Sequence, residues 1–397
     1  MIISEADKEF IRNNESVDIF KLALQLNKSD YSKEYIDFII NQISGRNVSK
    51  KKIESWYNNE DIIYPPHLSI EQSSSETTAK YKTHFIEDSN SLLDLTGGLG
   101  VDFYFLASSA KQATYVEQNE MLCKIANYNF KALNLNNYLI INKSGEEYLR
   151  SMQSTVDVIY IDPSRRDTKG KKVFRIADCS PNIIEIQEDL IQKASKTIIK
   201  FSPMLDISIA LREVNNISEI HVVSVDNECK ELILIISKSK DPLIYHTINI
   251  KGDGGMDIFR FSHTQEQESI IQYTNIICKY LYEPNASILK AGAFKSIAEH
   301  FNILKLNPNS HLYTSDTLIE NFPGRCFEVK KYFNPSKKNI KELSNANSNK
   351  ANISVRNYPF SVSEIRKSTK LKDGGETYIF ATTLNSGQKI WIECRKV

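Results

Sequence analysis

The chain has 397 residues, of which 41% are hydrophobic and 25% are charged, and its formal net charge at pH 7 is +1. These values are ordinary for a globular protein of two or three domains, and they exclude a disordered or fibrous chain. No apolar run approaches the ~18 residues of a membrane span, and the N-terminus lacks a signal-peptide core, so we expect a cytoplasmic protein with no membrane partner.

The positions of the cysteines, histidines and charged residues indicate which kinds of site and surface the protein has. The six cysteines form no Cys-x-x-Cys pair and the seven histidines have no metal-ligand spacing, so we expect reduced thiols and no metal. From Arg325 to Val397 there are 15 Lys and Arg residues against 6 Asp and Glu residues, an excess of +9. The last domain is therefore predicted to carry the basic surface, whereas nothing in the sequence indicates an oligomeric state.

Residues 1 to about 60 are predicted to form small amphipathic helices. Apolar residues in 17–26 form one face, and those in 35–43 form another behind an N-cap at Ser32. In Gln72-Ser-Ser-Ser-Glu76, Ser73 and Glu76 have the spacing of a capping box. This segment either begins a helix or forms a polar lid over a bound ligand.

A glycine-rich turn follows, in Asp94-Leu-Thr-Gly-Gly-Leu-Gly-Val-Asp102, between a short apolar run and a helix-forming stretch. Strand, glycine turn and helix in this order are typical of a nucleotide-type site. Phe103 stands where a dinucleotide fingerprint has its third glycine, and no Gly-Lys-Ser/Thr follows for phosphate. The pattern suits a cationic adenosine ligand without phosphates, which is S-adenosylmethionine.

Strands and helices alternate from about 90 to 240, as in a parallel α/β sheet. Two helices are predicted between the strands, at Glu120–Leu133 and Ile183–Ala194. Seven strands are predicted, the last two joined as a hairpin at the sheet edge: Leu92–Leu95, Ala113–Glu117, Tyr138–Asn142, Val156–Asp162, Thr197–Phe201, Glu219–Val225 and Glu231–Ser237.

The carboxyl ends of these strands carry the candidate site residues, because ligands of open parallel sheets bind there. Glu117 lies about 20 residues after the glycines, the spacing of an acid that accepts from ribose hydroxyls; the alternative is a solvated strand-end glutamate. Asp94 could accept from the cofactor ammonium or order water. The predicted cofactor-binding residues are Asp94, Thr96, Gly97, Gly98, Gly100, Glu117, Gln118, Glu146 and Asp162.

Ile159-Tyr-Ile-Asp-Pro-Ser-Arg-Arg166 contains an aspartate at the tip of a buried strand. A buried carboxylate is costly without a partner, and the following proline turns the chain out of the sheet, so Asp162 is predicted to face the crevice. There it could orient an attacking amine, with Arg165 and Arg166 at the mouth, suited to phosphate. The alternative is a strand-ending turn with solvated arginines.

Methyl transfer from a sulfonium depends mainly on alignment of nucleophile, methyl and sulfur, and it needs no metal. Methylation of a pyrimidine carbon would call for a cysteine nucleophile, but Phe201-Ser-Pro-Met204 has none. Cys179 lies near the presumed site, and we interpret it as structural. The sequence therefore favours a nitrogen acceptor.

The pattern changes after Asp241. A hairpin is predicted from Ile244–Ile250 and Ile258–Ser262, and a helix from about Gln267 to Tyr282. Asn334–Asn352 is rich in Asn, Ser and Lys and is predicted to be a flexible surface loop. The remaining predicted elements are three strands and a helix: Ile353–Asn357, Tyr378–Thr382, Lys389–Cys394 and Ser361–Leu371.

Between Ser73 and Ser237 the chain resembles the class I S-adenosylmethionine-dependent methyltransferases, through Asp94–Gly100, Glu117 and Asp162–Arg165. Three longer strings extend the similarity to a bacterial family with a small ferredoxin-like unit and a C-terminal THUMP-like domain: Ile161-Asp-Pro-Ser-Arg-Arg-Asp, Lys200-Phe-Ser-Pro-Met-Leu-Asp206 and Leu371-Lys-Asp-Gly-Gly-Glu-Thr-Tyr-Ile-Phe-Ala-Thr-Thr383.

This resemblance implies an α/β fold: a seven-stranded Rossmann-like sheet, an N-terminal helical segment and small C-terminal α+β domains. The implied domains are an N-terminal helical region (1–72), the methyltransferase domain (73–240), a ferredoxin-like region (241–324) and the THUMP-like domain (325–397).

The resemblance also implies modification of RNA, either tRNA or rRNA, because THUMP domains present structured RNA to a catalytic domain. Asp162, Pro163, Ser164 and Arg165 are then the implied catalytic residues. The chain departs from the family pattern at Arg165, where amino-group methyltransferases usually carry an aromatic residue. It departs again after the third strand, where Asn142-Lys-Ser-Gly-Glu146 stands at the place of an acid that often contacts the adenine end. Two alternatives stay open: methylation of a small molecule or protein, and an RNA-binding protein without activity.

Overall fold

A computed structural model of the chain describes residues 3–87, 89–164, 175–239, 241–346 and 349–397. Its contacts divide the chain into two compact units. The first comprises Met1–Ile220 and Lys230–Asp241, and the second comprises His221–Cys229 and Pro242–Val397.

The α-helices of the described chain are numbered in order: α1 (Glu5–Asn14), α2 (Ile19–Leu26), α3 (Lys33–Lys52), α4 (Glu54–Tyr57), α5 (His67–Gln72), α6 (Glu76–Lys82), α7 (Val101–Ala107), α8 (Glu120–Ala132), α9 (Gly145–Ser151), α10 (Ile183–Lys193), α11 (Ile207–Glu213), α12 (His263–Glu268), α13 (Ala286–Ala291), α14 (Ser296–Phe301), α15 (Lys337–Ala346) and α16 (Val362–Thr369). The strands are β1 (Ser91–Asp94), β2 (Gln112–Val116), β3 (Tyr138–Ile141), β4 (Val156–Ile161), β5 (Ala194–Phe201), β6 (Ile217–Val225), β7 (Glu228–Ser237), β8 (Ile244–Ile250), β9 (Met256–Ser262), β10 (Tyr280–Pro284), β11 (Leu304–Lys305), β12 (Tyr313–Ser315), β13 (Gly324–Phe333), β14 (Asn352–Arg356), β15 (Thr377–Thr383) and β16 (Lys389–Lys396).

The N-terminal region is helical, as the amphipathic pattern predicts. Ser32 caps α3, with its side chain accepting from the Tyr35 backbone nitrogen. Ile36, Ile39 and Ile43 are buried on α3 and pack with the apolar residues of α1 and α2. The spacing of these three isoleucines is that of one helix face, which explains why the helix forms against its neighbours.

The first sheet has nine strands, in the order β3-β2-β1-β4-β5-β7-β6-β8-β9. Strand β1 pairs in parallel with β2 and β4, and β5 pairs antiparallel with β7. The seven predicted strands are therefore present, and β7 is the predicted antiparallel strand, inserted between β5 and β6. The hairpin of β6 and β7 is not at the edge of the sheet, because β8 and β9 continue the sheet beyond β6, where a strand with an unpaired side accepts further strands.

The parallel strands bring their carboxyl ends to one edge of the sheet. Asp94, the last residue of β1, pairs in register with Tyr115 on β2 and with Tyr160 on β4. The turns that leave these three strands are therefore neighbours. The predicted bounds of the seven strands agree with the structure within a few residues, as do those of α8 and α10.

The second unit contains a seven-stranded sheet in the order β11-β12-β10-β13-β16-β15-β14. The predicted strands near 353–357, 378–382 and 389–394 are confirmed, and so is the helix behind Ser361, which caps α16. The hairpin of β8 and β9 is confirmed as well. Among the described residues, no helix combines the length and apolarity needed to cross a bilayer.

Two predicted elements of this unit are wrong. The helix predicted over 267–282 ends with α12 at Glu268, and the stretch finishes as strand β10, whose Leu281 and Tyr282 are both fully buried. The predicted loop 334–352 contains helix α15, in which Leu343 is fully buried and packs in a core with Ile365. In both stretches, the burial of apolar side chains stabilises an element that the local amino-acid composition does not predict.

Candidate functional site

A cavity of about 710 Å³ opens at the carboxyl ends of β1, β2 and β4. Cavities of this size hold small molecules and cofactors. Its described lining contains three segments and several single residues: Glu71–Ser74, Asp94–Asp102, Asp162–Ser164, Glu117, Gln118, Leu122, Gly145, Glu146, Tyr160, Ser180 and Pro181. Every predicted site residue that the structure describes is in this lining.

At two positions of the glycine turn, a residue larger than glycine would clash with a neighbouring side chain. Gly100 has φ +85°, and a Cβ there would lie 2.7 Å from the ring of Phe130. A Cβ on Gly97 would lie 2.2 Å from the ring of Tyr115. Two aromatic rings thus hold the turn close to the sheet, and any larger residue would push it into the cavity.

Glu117 follows β2 and receives two backbone hydrogen bonds. The Gly98 nitrogen donates to Oε2 at 2.9 Å, and the Asn119 nitrogen donates to Oε1 at 2.7 Å. The side chain is half-buried in the cavity wall. Each carboxylate oxygen keeps a second lone pair, so Glu117 can still accept two hydroxyl protons from a ligand.

Asp94 is 1% exposed and ends β1 beneath the glycine turn. Its Oδ1 accepts from the Thr96 backbone nitrogen at 2.8 Å and from the Thr96 hydroxyl at 3.3 Å. Burial, together with the nearby carboxylates of Asp102 and Asp162, raises the pKa of Asp94 well above its ordinary value. A cationic group in the cavity would oppose that shift and favour the carboxylate.

Thr96 connects this aspartate to the Asp-Pro segment after β4. The Asp162 backbone nitrogen donates to Thr96 Oγ1 at 2.7 Å. Pro163 is buried, and Ser164 forms an isolated bridge with Ser180 through two backbone hydrogen bonds of 2.7 and 3.0 Å. Arg165 and Arg166 lie outside the described residues.

The Asp162 side chain is 37% exposed, and its Oδ2 lies 2.6 Å from the Nζ of Lys200, at the end of β5. Burial raises the pKa of Asp162, while the charge of Lys200 lowers it. The carboxylate is therefore both accessible from the cavity and held by an ion pair. The sequence predicted Asp162 but not its partner.

A buried cluster of charges lies behind Asp162. Lys82 on α6 is within 3.0 Å of an Asp102 oxygen and 2.6 Å of a Glu231 oxygen, and Lys200 is 3.3 Å from the other Asp102 oxygen. Ser74 contributes a hydroxyl to the same cluster. Sequence reasoning missed all of these except Asp162, although Lys200 stands at a strand end, which is a usable signal.

The segment before α6 serves as a helix start and as a cavity wall. Ser75, and not Ser73, caps α6, with its side chain accepting from the Thr78 nitrogen. Glu76 accepts from the Ser55 backbone nitrogen and pairs with Lys80 instead of completing a capping box. The helix start is thus confirmed, with Ser75 as its cap, and the residues before the cap, Glu71–Ser74, line the cavity. That this segment covers a bound ligand stays a prediction.

The charge of the cavity wall is negative. Six acidic residues belong to its described lining, namely Glu71, Asp94, Asp102, Glu117, Glu146 and Asp162, and no lysine or arginine of the described chain is among them. A phosphate-bearing ligand would be repelled by this lining. A cationic ligand would be attracted to it.

No cysteine or histidine belongs to the described lining of the cavity. Cys179 is buried, with its Sγ 3.5 Å from the Arg175 carbonyl oxygen, and it is not in the cavity lining. Cys123 packs behind the wall, with its Sγ 3.3 Å from the Glu117 carbonyl oxygen. In the second unit, the rings of His221 and His246 stack with centroids 4.2 Å apart, a proximity that their sequence spacing did not indicate.

Comparisons with known proteins show which families the chain resembles. Two family models match the end of the chain: a ferredoxin-like domain at residues 280–323 and a THUMP domain-like model at residues 324–396. An "Uncharacterized RNA methyltransferase MMOB5020" of Mycoplasma mobile is 31% identical over 102 residues, 26% of this chain. The match spans only 28% of that relative's length.

A solved structure matches the whole chain. It is a "putative methyltransferase" from Porphyromonas gingivalis W83, 34% identical in sequence, with a TM-score of 0.87 and 100% coverage of both chains. The two chains therefore have the same fold throughout, including the strands that surround the cavity.

Proposed function

The chain belongs to the methyltransferase family of this full-length relative, with ferredoxin-like and THUMP-like domains at its C-terminus, and we propose that it transfers a methyl group from S-adenosylmethionine to a base nitrogen of RNA, either tRNA or rRNA. The observation that carries this proposal is the acidic cavity beside a glycine turn, with Asp162 at its wall.

The residues of the cavity fit S-adenosylmethionine. Its sulfonium and ammonium groups are positive and it has no phosphate, which agrees with a lining of carboxylates. We assign the ribose hydroxyls to Glu117, the ammonium group to Asp94 and the methionine end to the Gly97–Gly100 turn. Gln118 and Glu146, which also line the cavity, would contact the adenosine.

Asp162 would orient the acceptor. When bound, S-adenosylmethionine supplies an electrophilic methyl carbon, whose bond to nitrogen forms as its bond to sulfur breaks and leaves the electron pair on sulfur. A carboxylate accepts a hydrogen bond from an amine N–H and can take up the proton that the methylated nitrogen loses. Asp162 has one oxygen paired with Lys200, and its other oxygen, Oδ1, is the group we assign to the acceptor N–H. Pro163 and Ser164, which line the cavity, would contact the base, and Arg165, outside the described residues, stays a proposed catalytic residue.

The basic end of the chain supports RNA as the substrate. The excess of +9 charges after Arg325 can contact phosphates without reading a base sequence. The THUMP domain-like match covers the same residues, and the Mycoplasma mobile relative bears the name of an RNA methyltransferase. With this function we also propose a cytoplasmic protein, with the domain limits 1–72, 73–240, 241–324 and 325–397.

Methyl transfer to RNA tests the proposal. The full chain is incubated with S-adenosylmethionine labelled in the methyl group and with total RNA from a strain that lacks the gene. Labelled RNA from this strain, much less label in RNA from the parent strain, and loss of labelling with Asp162→Asn are expected. Asp178→Asn, at an exposed position, is the matched control and should retain activity.

If the wild-type protein binds S-adenosylmethionine but labels no RNA, then RNA is not its methyl acceptor. Small-molecule or protein acceptors would then be the substrates to test with the same labelled cofactor. A wild type that binds RNA but not the cofactor would instead indicate an RNA-binding protein without activity.

A further inference from the structure

We propose that Lys200 is a positioning residue for methyl transfer, whose ammonium group holds the Asp162 carboxylate in one orientation toward the acceptor nitrogen. The inference rests on the proposed function and deepens it, because it identifies how the acceptor-binding carboxylate is fixed. Neither residue types nor motif spacing indicated this pair, since Lys200 lies at the end of β5 and Asp162 follows β4.

The hydrogen-bonding capacity of Lys200 is used up within the protein. Its Nζ is 2.6 Å from Asp162 Oδ2, 2.9 Å from Ser74 Oγ and 3.3 Å from Asp102 Oδ2. An ammonium group has three protons, and these three oxygens account for them. The Lys200 side chain is 9% exposed, against 37% for Asp162, so Lys200 acts on the acceptor through Asp162.

A second layer fixes Lys200 itself. The Tyr160 hydroxyl donates to Asp102 Oδ2 at 2.7 Å, and Lys82 is within 3.0 Å of Asp102 Oδ1. Ser74 Oγ lies within hydrogen-bond distance of both lysines, at 3.3 Å from Lys82 and 2.9 Å from Lys200. A buried pair that loses one partner leaves an uncompensated charge, so the arrangement resists rearrangement.

The charges around Asp162 come from five elements. Lys200 on β5 favours its carboxylate, whereas Asp94 on β1, Asp102 on α7 and Glu231 on β7 oppose it. Lys82 on α6 pairs with Asp102 and with Glu231. Burial of Asp162 is the largest influence and raises its pKa. Replacing Lys200 by a neutral residue should therefore raise the pKa of Asp162 further, because the nearest positive charge is lost.

The test compares Lys200→Met with Lys200→Arg and with Lys196→Met in the full-length protein. Lys196 is on the same strand and the same face, about 13 Å away at the usual rise per residue, and it is a matched control. For each variant, kcat and KM for labelling of total RNA from the gene-deleted strain are measured against pH, together with the Kd of S-adenosylmethionine.

We expect Lys200→Met to lower kcat by about tenfold or more, because misplacement of a reacting group by about 1 Å has effects of that size. The acid limb of the kcat profile should move to higher pH, since a protonated Asp162 cannot accept the N–H. The Kd of the cofactor should change by less than about threefold, which is under 1 kcal/mol. Lys200→Arg should restore part of the rate, and Lys196→Met should behave as wild type.

A second measurement does not depend on finding the RNA. With aspartate labelled at its carboxyl carbon, the NMR signal that Asp162→Asn removes is that of Asp162, and it can be titrated directly. It should titrate at higher pH in Lys200→Met than in wild type. If Lys200→Met does not fold, Ser74→Ala, which removes the hydroxyl shared by both lysines, should shift it in the same direction.

An unchanged kcat profile in a folded Lys200→Met protein would overturn the inference, and so would an unchanged titration of the Asp162 carbon. Failure of the proposed function has a different signature. A wild type that labels no RNA would refute the RNA acceptor, and the carbon titration would then decide alone whether Lys200 controls Asp162.

Discussion

The Gly98 backbone nitrogen donates a hydrogen bond of 2.9 Å to Oε2 of Glu117, which joins the glycine turn after β1 directly to the acid after β2. The Tyr115 hydroxyl donates to the Gly98 carbonyl oxygen at 2.5 Å, so both polar backbone atoms of this glycine are bound. These two hydrogen bonds hold the glycine turn in the conformation that lines the cavity. Substitution of a glycine in this turn should therefore change the shape of the cavity.

Gly100→Ala is expected to destabilise the protein and to weaken cofactor binding. The residue has φ +85°, and its new Cβ would lie 2.7 Å from Phe130. Gly254→Ala is the matched control, because Gly254 has φ +86° but open space around the added carbon. We expect a loss of about 2 kcal/mol or more in free energy of unfolding for Gly100→Ala and about 1 kcal/mol for the control.

Denaturant unfolding and calorimetric titration of S-adenosylmethionine measure the two effects. Only Gly100→Ala should lower the affinity for the cofactor. Equal losses of stability in both variants, with unchanged affinity, would show that Phe130 does not constrain the turn.

Cofactor affinity should depend on pH through Asp94. Its pKa is raised well above the ordinary value by burial, so a fraction of this group is protonated at a pH where most aspartates are ionised. A cationic ligand favours the carboxylate, so binding should release a proton, and affinity should rise with pH until the raised pKa is passed.

Titration calorimetry in two buffers of different ionisation enthalpy measures this proton release. Asp94→Asn should bind more weakly and without proton release. If wild type releases no proton at any pH at which the protein stays folded, the ammonium group does not lie at Asp94.

RNA affinity should depend on salt and on the basic end of the chain. Lys367 and Lys372 are exposed, and their replacement by Ala should weaken binding of total tRNA. The slope of log K against log salt concentration should fall by about one for each phosphate contact removed. Lys21→Ala with Lys28→Ala, two exposed lysines of the N-terminal region, on and just after α2, is the control and should leave the slope unchanged.

Filter binding at several sodium chloride concentrations gives these slopes. A wild-type affinity that does not change with salt would be incompatible with an RNA substrate held through phosphates. Equal losses in the two double variants would place the contact surface elsewhere.

The candidate site could be read largely from the sequence, because parallel strands deliver their carboxyl ends to one edge. Asp94, Glu117 and Asp162 each lie at the carboxyl end of a predicted strand, and all three line a single cavity. Their roles remain proposals. The strand bounds were also predictable, since buried strands are short apolar runs between turn residues.

The buried charge cluster behind Asp162 could not be predicted from the sequence in this way. Lys82, Asp102, Lys200 and Glu231 come from four elements far apart in sequence, and no motif spacing connects them with one another. Each of them alone looks like a solvated charge. Only the packing of α6 and α7 against the sheet brings them together, and such tertiary contacts have no local signal.

The errors in secondary structure have the same origin. Helix α15 was hidden by a composition rich in Asn, Ser and Lys, although Leu343 is fully buried in a core with Ile365. Strand β10 was hidden at the end of a stretch with helical spacing. In both cases long-range burial, which the chain shows only when folded, outweighs local propensity.

The most direct test of a methyltransferase site is calorimetric titration of S-adenosylmethionine into wild type, Glu117→Ala and Glu120→Ala. Glu120 is 70% exposed and pairs only with Lys124 among the described residues, so it is the control for loss of a nearby acid. We predict micromolar binding to wild type and Glu120→Ala, and a loss of at least about tenfold, near 1.4 kcal/mol, in Glu117→Ala. Equal affinity in all three proteins, or no binding to wild type, would contradict a cofactor site built on Glu117.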